Sequence, residues 1–190
     1  MSKQIYNEKI TLDSENKNDF VVIDLFTKYE CNQIIKYCDK KYTLIPSTIH
    51  TGTGEIVDDT VRNNKLAWLD HEDKGIAWFK DKIEDAVLNI NNLKYKFDIS
   101  LSQKLQFTKY AYDEFYSWHL DTGTKAPSNT RKLSVTVQLS DPKNYGGGEL
   151  VLLTNGNLYH TLNLKRGQAV IFASYVPHMV TPVEALPGGG

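Results

Sequence analysis

The sequence predicts one α+β domain with a mainly β core, a sandwich or jelly roll, flanked by helices on its N-terminal side. Three observations lead to this fold class. Apolar residues recur at helical spacing in two segments before residue 93, short segments of alternating polarity follow, and turn residues separate them. A chain of 190 residues suits one sizeable core better than two. We therefore expect a single domain over 1–190, with its core at about 95–190 and helical support at about 20–94.

Charge and hydropathy argue against two classes of partner. The 22 basic and 23 acidic residues give a net charge of −1, which favours neither nucleic acid nor a membrane surface. No apolar run approaches the roughly 20 residues that cross a bilayer. The first nine residues lack the apolar region of a signal peptide. We therefore expect a cytoplasmic protein whose partner is a peptide or small-molecule substrate.

The sequence of the N-terminal part of the chain predicts an arm, a strand and a first helix. Residues 1–19 are polar and predict a loosely held arm or an edge strand, whereas 20–26 are β-branched and aromatic and predict a strand. Thr27 and Glu30 have the spacing of a capping box, which predicts a helix that starts there and reaches about Lys40.

Two cysteines, Cys31 and Cys38, lie on this predicted helix. Seven helical residues separate them by about 10 Å, which is too far for a disulfide. We expect both thiols to be reduced and buried.

The remaining elements follow from periodicity and turn residues. Residues 43–59 read as a loop with room for one hairpin, and apolar residues at spacings of three, four and seven predict an amphipathic helix over 73–92. Alternating segments predict the core strands. These segments are 95–99, 101–112, 133–139, 149–153, 158–164 and 169–172.

A His-x-Asp motif at His119 and Asp121 suggests half of a metal site. In an extended chain, residues i and i+2 point to the same face, so the imidazole and the carboxylate converge. His178, far downstream, supplies a third ligand, and two histidines with one carboxylate are typical of non-haem Fe(II) oxygenases. Taken alone, the motif also fits two polar residues on a solvated strand.

Three further stretches favour the metal site. The chain reads LSVTVQLSDPKNYGGGEL from Leu133, LKRGQAVIF from Leu164 and PHMVTPV from Pro177. With the His-x-Asp motif, this text resembles the 2-oxoglutarate- and Fe(II)-dependent dioxygenases of the prolyl 4-hydroxylase superfamily, most closely the bacterial PKHD-type hydroxylases, over about 105–183. The resemblance implies a double-stranded β-helix with Fe(II), 2-oxoglutarate and O2, and ascorbate as a candidate reductant.

The resemblance also implies roles for individual residues. It implies a catalytic metal triad, a set that contacts the co-substrate and a set that contacts the substrate. The triad is His119, Asp121 and His178, the co-substrate set is Tyr110, Gln138 and Val180, and the substrate set is Arg131, Tyr116 and Arg62. Tyr110 also fits an ordinary core tyrosine, and Arg62 also fits a surface charge. The Gly146 to Glu149 turn is expected to be structural because glycine tolerates unusual backbone angles.

The chain departs from the family pattern in two places. Gln138 stands where many relatives have a tyrosine for 2-oxoglutarate, although its amide can still donate a hydrogen bond. The family also keeps a basic residue nine to a dozen positions beyond the second histidine, and no basic residue follows His178 here. We expect either that the chain is truncated before that residue and the last core strand, or that the co-substrate is held otherwise. Lys165 and Arg166 lie in a predicted turn and would replace it poorly.

The sequence thus predicts a 2-oxoglutarate-dependent hydroxylase that acts on a prolyl residue of a peptide or protein. One alternative is a cupin-like metal enzyme that uses the same triad without 2-oxoglutarate. Another is a catalytically silent binding domain. The other histidines, His50, His71 and His160, are expected to be surface or hydrogen-bonding residues.

Overall fold

A computed structural model describes residues 19–51, 54–101, 103–126, 128–155 and 157–186. The expected N-terminal arm therefore lies almost wholly outside the described residues. Within these ranges, helix α1 is Lys28–Lys41, helix α2 is Ala77–Ile90, and the turn Asn91–Tyr95 continues α2 as a π-helix. The strands are β1 (Phe20–Asp24), β2 (Ile45–Pro46), β3 (Ile49–Thr51), β4 (Gly54–Ile56), β5 (Arg62–Asn63), β6 (Lys65–Trp68), β7 (Gln106–Lys109), β8 (Phe115–His119), β9 (Leu133–Val137), β10 (Gly146–Gly147), β11 (Leu150–Thr154), β12 (Leu158–Leu162), β13 (Gln168–Ala173), β14 (His178–Val180) and β15 (Val183–Glu184).

The strands form a jelly roll of antiparallel sheets. One sheet has the strand order β12-β11-β14-β8-β5. Two three-stranded sheets have the orders β1-β13-β9 and β2-β6-β7, and β3-β4 and β10-β15 are separate pairs. Strands from the predicted support region, including β1, β5 and β6, thus extend the core sheets. The predicted class, α+β with a mainly β core, is confirmed.

Strand β13 shows how the layers are held together, because both of its faces are buried. Ala169 and Ile171 pack into a cluster with the two helices, whereas Val170 and Phe172 pack between the sheets. All four are fully buried. Because side chains alternate along a strand, neighbouring residues of β13 pack into opposite layers. Full burial of one large apolar side chain contributes about 1.5–3 kcal/mol to the free energy of folding.

Helix α1 begins as the sequence predicts. The Thr27 side chain accepts from the Glu30 backbone N–H at 3.2 Å, and the Glu30 carboxylate accepts from the Thr27 N–H at 2.7 Å. The same carboxylate pairs with Lys82 of α2 at 2.8 Å, which ties the two helices together. Cys31 and Cys38 are buried and free, as predicted.

Helix α2 begins later than the predicted Asp73. The Asp73 carboxylate accepts hydrogen bonds from the Tyr37 and Tyr42 hydroxyls, both at 2.6 Å, and from the Gly75 N–H at 2.9 Å. These bonds hold a turn, so the regular helix starts only at Ala77.

The strand predicted at 95–99 is wrong. The Asn91 side chain donates to the Phe97 carbonyl and accepts from the Phe97 N–H, at 2.9 and 3.0 Å. This pair of bonds closes a loop after the π-helical turn, which ends with Lys96 at a φ of 58°. The alternating pattern is thus overridden by one side chain that satisfies the backbone locally.

Two strands, β7 and β9, each have one open edge in the described sheets. Within the described residues, β7 pairs only with β6, and β9 pairs only with β13. Both strands line one cleft of about 1840 Å³, which reaches from the His-x-Asp region to the helices. Neither described helix is long and apolar enough to cross a lipid bilayer. The expected cytoplasmic location stays a prediction.

Candidate active site

The two histidines of the predicted triad lie opposite each other on neighbouring strands. His119 ends β8, His178 begins β14, and the two are direct partners in the antiparallel register. Asp121 lies just beyond β8, where its backbone N–H donates to the Ser174 carbonyl at 3.1 Å. Strand pairing therefore brings together residues that are far apart in the sequence.

The three side chains converge on one point. Their ligand atoms all lie within 4.8 Å of one another. The Asp121 carboxylate is 3.8 Å from Nε2 of His119 and 3.6 Å from Nε2 of His178. An ion at about 2.1 Å from each ligand needs neighbouring ligands about 3 Å apart, so side-chain shifts of about 1 Å suffice. This donor set fits a divalent transition metal.

Both histidines have the ring nitrogen Nε2 available as a metal ligand. Nδ1 of His119 hydrogen-bonds the Ser117 carbonyl at 2.8 Å, and Nδ1 of His178 hydrogen-bonds the Val176 carbonyl at 3.0 Å. A carbonyl only accepts, so each Nδ1 carries the proton and each Nε2 keeps its lone pair for a metal. Burial and the neighbouring His178 lower the pKa of His119 to about 4, so this imidazole is neutral at neutral pH.

The carboxylate ligand is also held in place. Ser134 of β9 donates to Oδ2 of Asp121 at 2.5 Å, and its Oγ lies 3.0 Å from Oγ of Ser174. Ser174 is almost fully buried. One carboxylate oxygen is thus occupied by a hydroxyl, which leaves Oδ1 free to bind a metal. The sequence analysis missed both serines. The signal that could have found Ser134 is the alternation in LSVTVQ, which puts it on the same strand face as Gln138.

Arg62 and Tyr116 build a stack on the first histidine. The Tyr116 ring lies parallel to the His119 ring at 3.5 Å between centroids, and the Arg62 guanidinium lies 4.4 Å from the centre of the Tyr116 ring. Arg62 is 9% exposed, so its reading as a surface charge is wrong. Its hydrogen bonds to Thr48 and Gln106 are both long, 3.4 Å, and its Nε has no hydrogen-bond partner among the described residues. Arg62 therefore keeps donor capacity for a ligand.

Tyr110, Val180 and Arg131 also line the cleft. Burial raises the pKa of Tyr110 to about 12, so its hydroxyl stays protonated and able to donate. Arg131 donates to the Asp121 carbonyl at 3.1 Å, which places its guanidinium beside the triad. The structure therefore brings all these predicted residues to one cleft.

Gln138 differs from its expected role. Its Nε2 donates to the Ser140 carbonyl at 2.9 Å and to the Tyr145 hydroxyl at 2.7 Å. Both amide hydrogens are used, so Gln138 has none left to donate directly to a co-substrate. The sequence analysis did not single out Tyr145, which also lines the cleft.

The glycine turn has the structural role that the sequence predicts. Gly147 and Gly148 have φ values of 59° and 67°. A Cβ on Gly147 would lie 2.0 Å from the Pro182 carbonyl oxygen, so no larger residue fits.

The other histidines show no second metal site in the part of the chain that the structure describes. Among the described residues, no other group of three histidine, cysteine or acidic side chains could hold a metal. His160 Nε2 hydrogen-bonds Thr154 at 2.8 Å, as expected of a structural histidine. The His71 Nε2 is buried and has no hydrogen-bond partner within the described ranges, and the side chain of His50 lies outside them.

Comparisons with known proteins agree with this geometry. The sequence model of the 2OG-Fe(II) oxygenase superfamily matches residues 105–187. The PKHD-type hydroxylase YbiX of Escherichia coli (strain K12 / DH10B) is 36% identical over 110 residues, which cover 53% of this chain and 48% of the relative. The same figures hold for YbiX of Escherichia fergusonii. The chain thus spans about half the length of the curated relatives it matches.

Solved structures share the fold. A Pseudomonas putida prolyl-4-hydroxylase superposes with a TM-score of 0.69 at 21% identity, covering 88% of each chain. A Trichoplax adhaerens prolyl hydroxylase, in complex with a hypoxia inducible factor oxygen degradation domain peptide fragment, gives 0.66 at 19% identity, covering 90% of this chain and 80% of the other. As the sequence resemblance predicts, the segment 105–187, which carries the triad and strands β7 to β15, is the part of the chain that matches the 2OG-Fe(II) oxygenase superfamily model.

Proposed function

We propose that this protein is a 2-oxoglutarate- and O2-dependent hydroxylase that uses Fe(II) and acts on a prolyl residue of a peptide or protein. The observation that carries the proposal is the triad at one end of the cleft. Two imidazoles and one carboxylate would hold a metal from one side, and this would leave room beside it for a co-substrate and dioxygen. The matched superfamily segment supports the same chemistry.

The chain's own residues bind and orient the reactants. His119, Asp121 and His178 would hold the metal, and the hydrogen bonds on their remaining atoms fix their directions. Fe(II), when bound, supplies the activation of O2 that is coupled to decarboxylation of 2-oxoglutarate to succinate. The protein's part is to position the reactants and to keep water out.

The remaining predicted residues are assigned to binding. Tyr110 and Val180 would contact the co-substrate, the first through its hydroxyl and the second through apolar packing. Arg62, Arg131 and Tyr116 would contact the substrate, since two guanidinium groups and a phenol suit the carbonyl oxygens of a peptide.

Names of similar proteins support the prolyl substrate. The curated relatives are PKHD-type hydroxylases, and two of the similar structures are prolyl hydroxylases. Ascorbate would act as a reductant that keeps the iron in its Fe(II) state.

Succinate release tests the proposal. The full chain, Fe(II), O2 and 2-oxoglutarate are combined with proline-containing peptides, and succinate and hydroxyproline are measured together. Equal amounts of both products support the proposal. Metal binding without any use of 2-oxoglutarate would favour a cupin-like enzyme instead. If the chain binds no metal and shows no turnover, the result would favour a catalytically silent binding domain.

A further inference from the structure

Arg62 is a buried positive charge that has no carboxylate partner in the part of the chain that the structure describes. Its side chain lines the cleft and is 9% exposed. None of the ion pairs among the described residues includes it. Its two hydrogen bonds, to the Thr48 carbonyl and the Gln106 side chain, are long and go to neutral acceptors. The charge is therefore held only by these bonds and by the ring of Tyr116.

The acidic side chains of the preceding segment have other partners. The Asp58 carboxylate accepts from the N–H and the hydroxyl of Thr60, at 3.0 and 2.6 Å. The Glu55 carboxylate is exposed and accepts from the Thr48 hydroxyl at 2.9 Å. Burial of a charge without a partner destabilises a fold, so its presence here points to a ligand of opposite charge.

The strand register fixes the position of Arg62 relative to the triad. Arg62 of β5 is the direct partner of Tyr116 of β8, and β8 ends at His119. The guanidinium carbon is 4.4 Å from the centre of the Tyr116 ring, and that centre is 3.5 Å from the centre of the His119 ring. The guanidinium therefore lies within about 8 Å of the His119 ring.

The charges on this side of the cleft favour an anion. Arg131, the second arginine beside the triad, also donates to neutral acceptors, the Asp121 carbonyl at 3.1 Å and the Gln103 side chain at 3.3 Å. A guanidinium carries its N–H donors in a planar fork that matches a carboxylate. Two such groups that line one cleft attract an acidic ligand and orient it.

The distance from the triad indicates where such a carboxylate lies on a peptide. One residue of an extended chain spans about 3.3–3.6 Å. Two residues therefore cover the separation between the His119 ring and the guanidinium of Arg62. An acidic group one or two residues from the target proline reaches Arg62 while the proline lies beside the triad.

We propose that the substrate is an acidic peptide with a carboxylate within two residues of the hydroxylated proline, and that Arg62 selects this carboxylate. This inference rests on the proposed function, because it names the substrate class of the same site. The carboxylate belongs to an Asp or Glu side chain or to the C-terminus of the peptide, since both present the same group to the guanidinium. Arg62 is then a specificity-determining residue.

The first test measures binding. The full chain is loaded with Mn(II) and 2-oxoglutarate under nitrogen and titrated in a calorimeter with end-blocked peptides that differ only by Glu or Gln near one central proline. The wild type should bind the Glu peptide about tenfold more tightly, and Arg62→Met should abolish this preference. Arg62→Lys, which keeps the charge but not the fork, should restore part of it. Lys65→Met is the matched control, because Lys65 is exposed and lies outside the cleft lining.

A competition assay measures the same preference in turnover. The Glu and Gln peptides are mixed with Fe(II), O2 and 2-oxoglutarate, and mass spectrometry gives the ratio of their hydroxylated products. This ratio does not depend on how much of a variant is folded or loaded, so a merely structural role of Arg62 would leave it unchanged. A neutral peptide with a free C-terminus just after the proline shows whether a side chain or the C-terminus supplies the carboxylate.

The outcomes separate the two proposals. If no peptide yields hydroxyproline, the proposed function fails and this inference fails with it. If peptides are hydroxylated but a carboxylate gives no preference, or Arg62→Met keeps the preference, only the inference about Arg62 is wrong. If Arg62→Met weakens the binding of 2-oxoglutarate itself about tenfold or more, Arg62 pairs with the co-substrate and the inference is again wrong.

Discussion

The two ends of the cleft are built in different ways. At the triad end, each ligand side chain is held by a hydrogen bond: the histidines donate to backbone carbonyls, and the Asp121 carboxylate accepts from Ser134. At the other end of the cleft, the distal end, two side chains past the end of β9, Gln138 and Tyr145, are joined by a hydrogen bond. The difference indicates that the metal position is set by the strands themselves, whereas the distal end depends on a few side chains.

The largest expected effect comes from removing the one anionic ligand. Asp121→Ala should weaken Mn(II) or Co(II) binding by more than about 100-fold and abolish succinate formation, because removal even of a residue that merely supports a ligand costs about 10–100-fold. The fold should survive, since Asp121 is one-third exposed and leaves no cavity in the core. Metal titration and thermal melts measure both effects. Asp59→Ala, at an exposed aspartate, is the control. Unchanged succinate formation by Asp121→Ala would show that Asp121 is not a metal ligand.

The next effect distinguishes substrate binding from metal binding. Arg62→Met should lower turnover of a peptide substrate by about tenfold or more and leave metal affinity within about threefold, because the guanidinium touches Tyr116 and not the ligand atoms. The melting temperature should hold or rise, since a buried charge with long hydrogen bonds is a poor source of stability. Peptide kinetics and calorimetry give the comparison. A loss of metal affinity as large as the loss of turnover would instead mean that the stack supports His119.

A smaller effect tests how the carboxylate is held. Ser134→Ala should weaken metal binding about tenfold, whereas Ser134→Thr, which keeps the hydroxyl, should stay close to the wild type. Co(II) absorption reports the ligand geometry independently of turnover. Ser140→Ala, at an exposed serine beyond the end of the same strand, provides a control. If the alanine and threonine variants bind the metal equally, the hydroxyl has no part in positioning Asp121.

The smallest effect lies away from both ends of the cleft. Hydrogen bonds from Tyr37 and Tyr42 lower the pKa of Asp73 to about 2, from 3.8. A lowered carboxyl pKa contributes stability that is present above about pH 4 and is lost as the pH falls towards 2. Urea unfolding between pH 6 and pH 2 should therefore show a steeper acid loss in the wild type than in Asp73→Asn. Parallel curves for the two proteins would contradict this, and metal affinity at pH 7 should be equal in both.

The sequence predicts the triad well because its information is local and periodic. A two-residue spacing puts His119 and Asp121 on one side, and the text around His178 identifies the third ligand. That Asp121 lies past the end of β8 and is anchored by the Ser174 carbonyl does not follow from spacing. The metal-binding roles themselves stay predictions until a metal is titrated.

The features that sequence reasoning missed depend on contacts between distant residues. Ser134 and Ser174 are brought together by the pairing of β9 with β13, and the burial of Arg62 follows from the pairing of β5 with β8. No pattern in either segment shows this. The failed strand at 95–99 has the same cause at shorter range, since the bonds between Asn91 and Phe97 outweigh an alternating pattern.

The two buried cysteines give the helical layer a built-in reporter. Cys31 and Cys38 have no exposed surface, and burial raises the pKa of Cys38 to about 12. Only a thiolate reacts quickly with alkylating reagents, so labelling must wait until α1 separates from the sheet. The labelling rate under native conditions therefore measures how often that layer opens. A substitution in the cleft that leaves this rate unchanged has acted on the site alone.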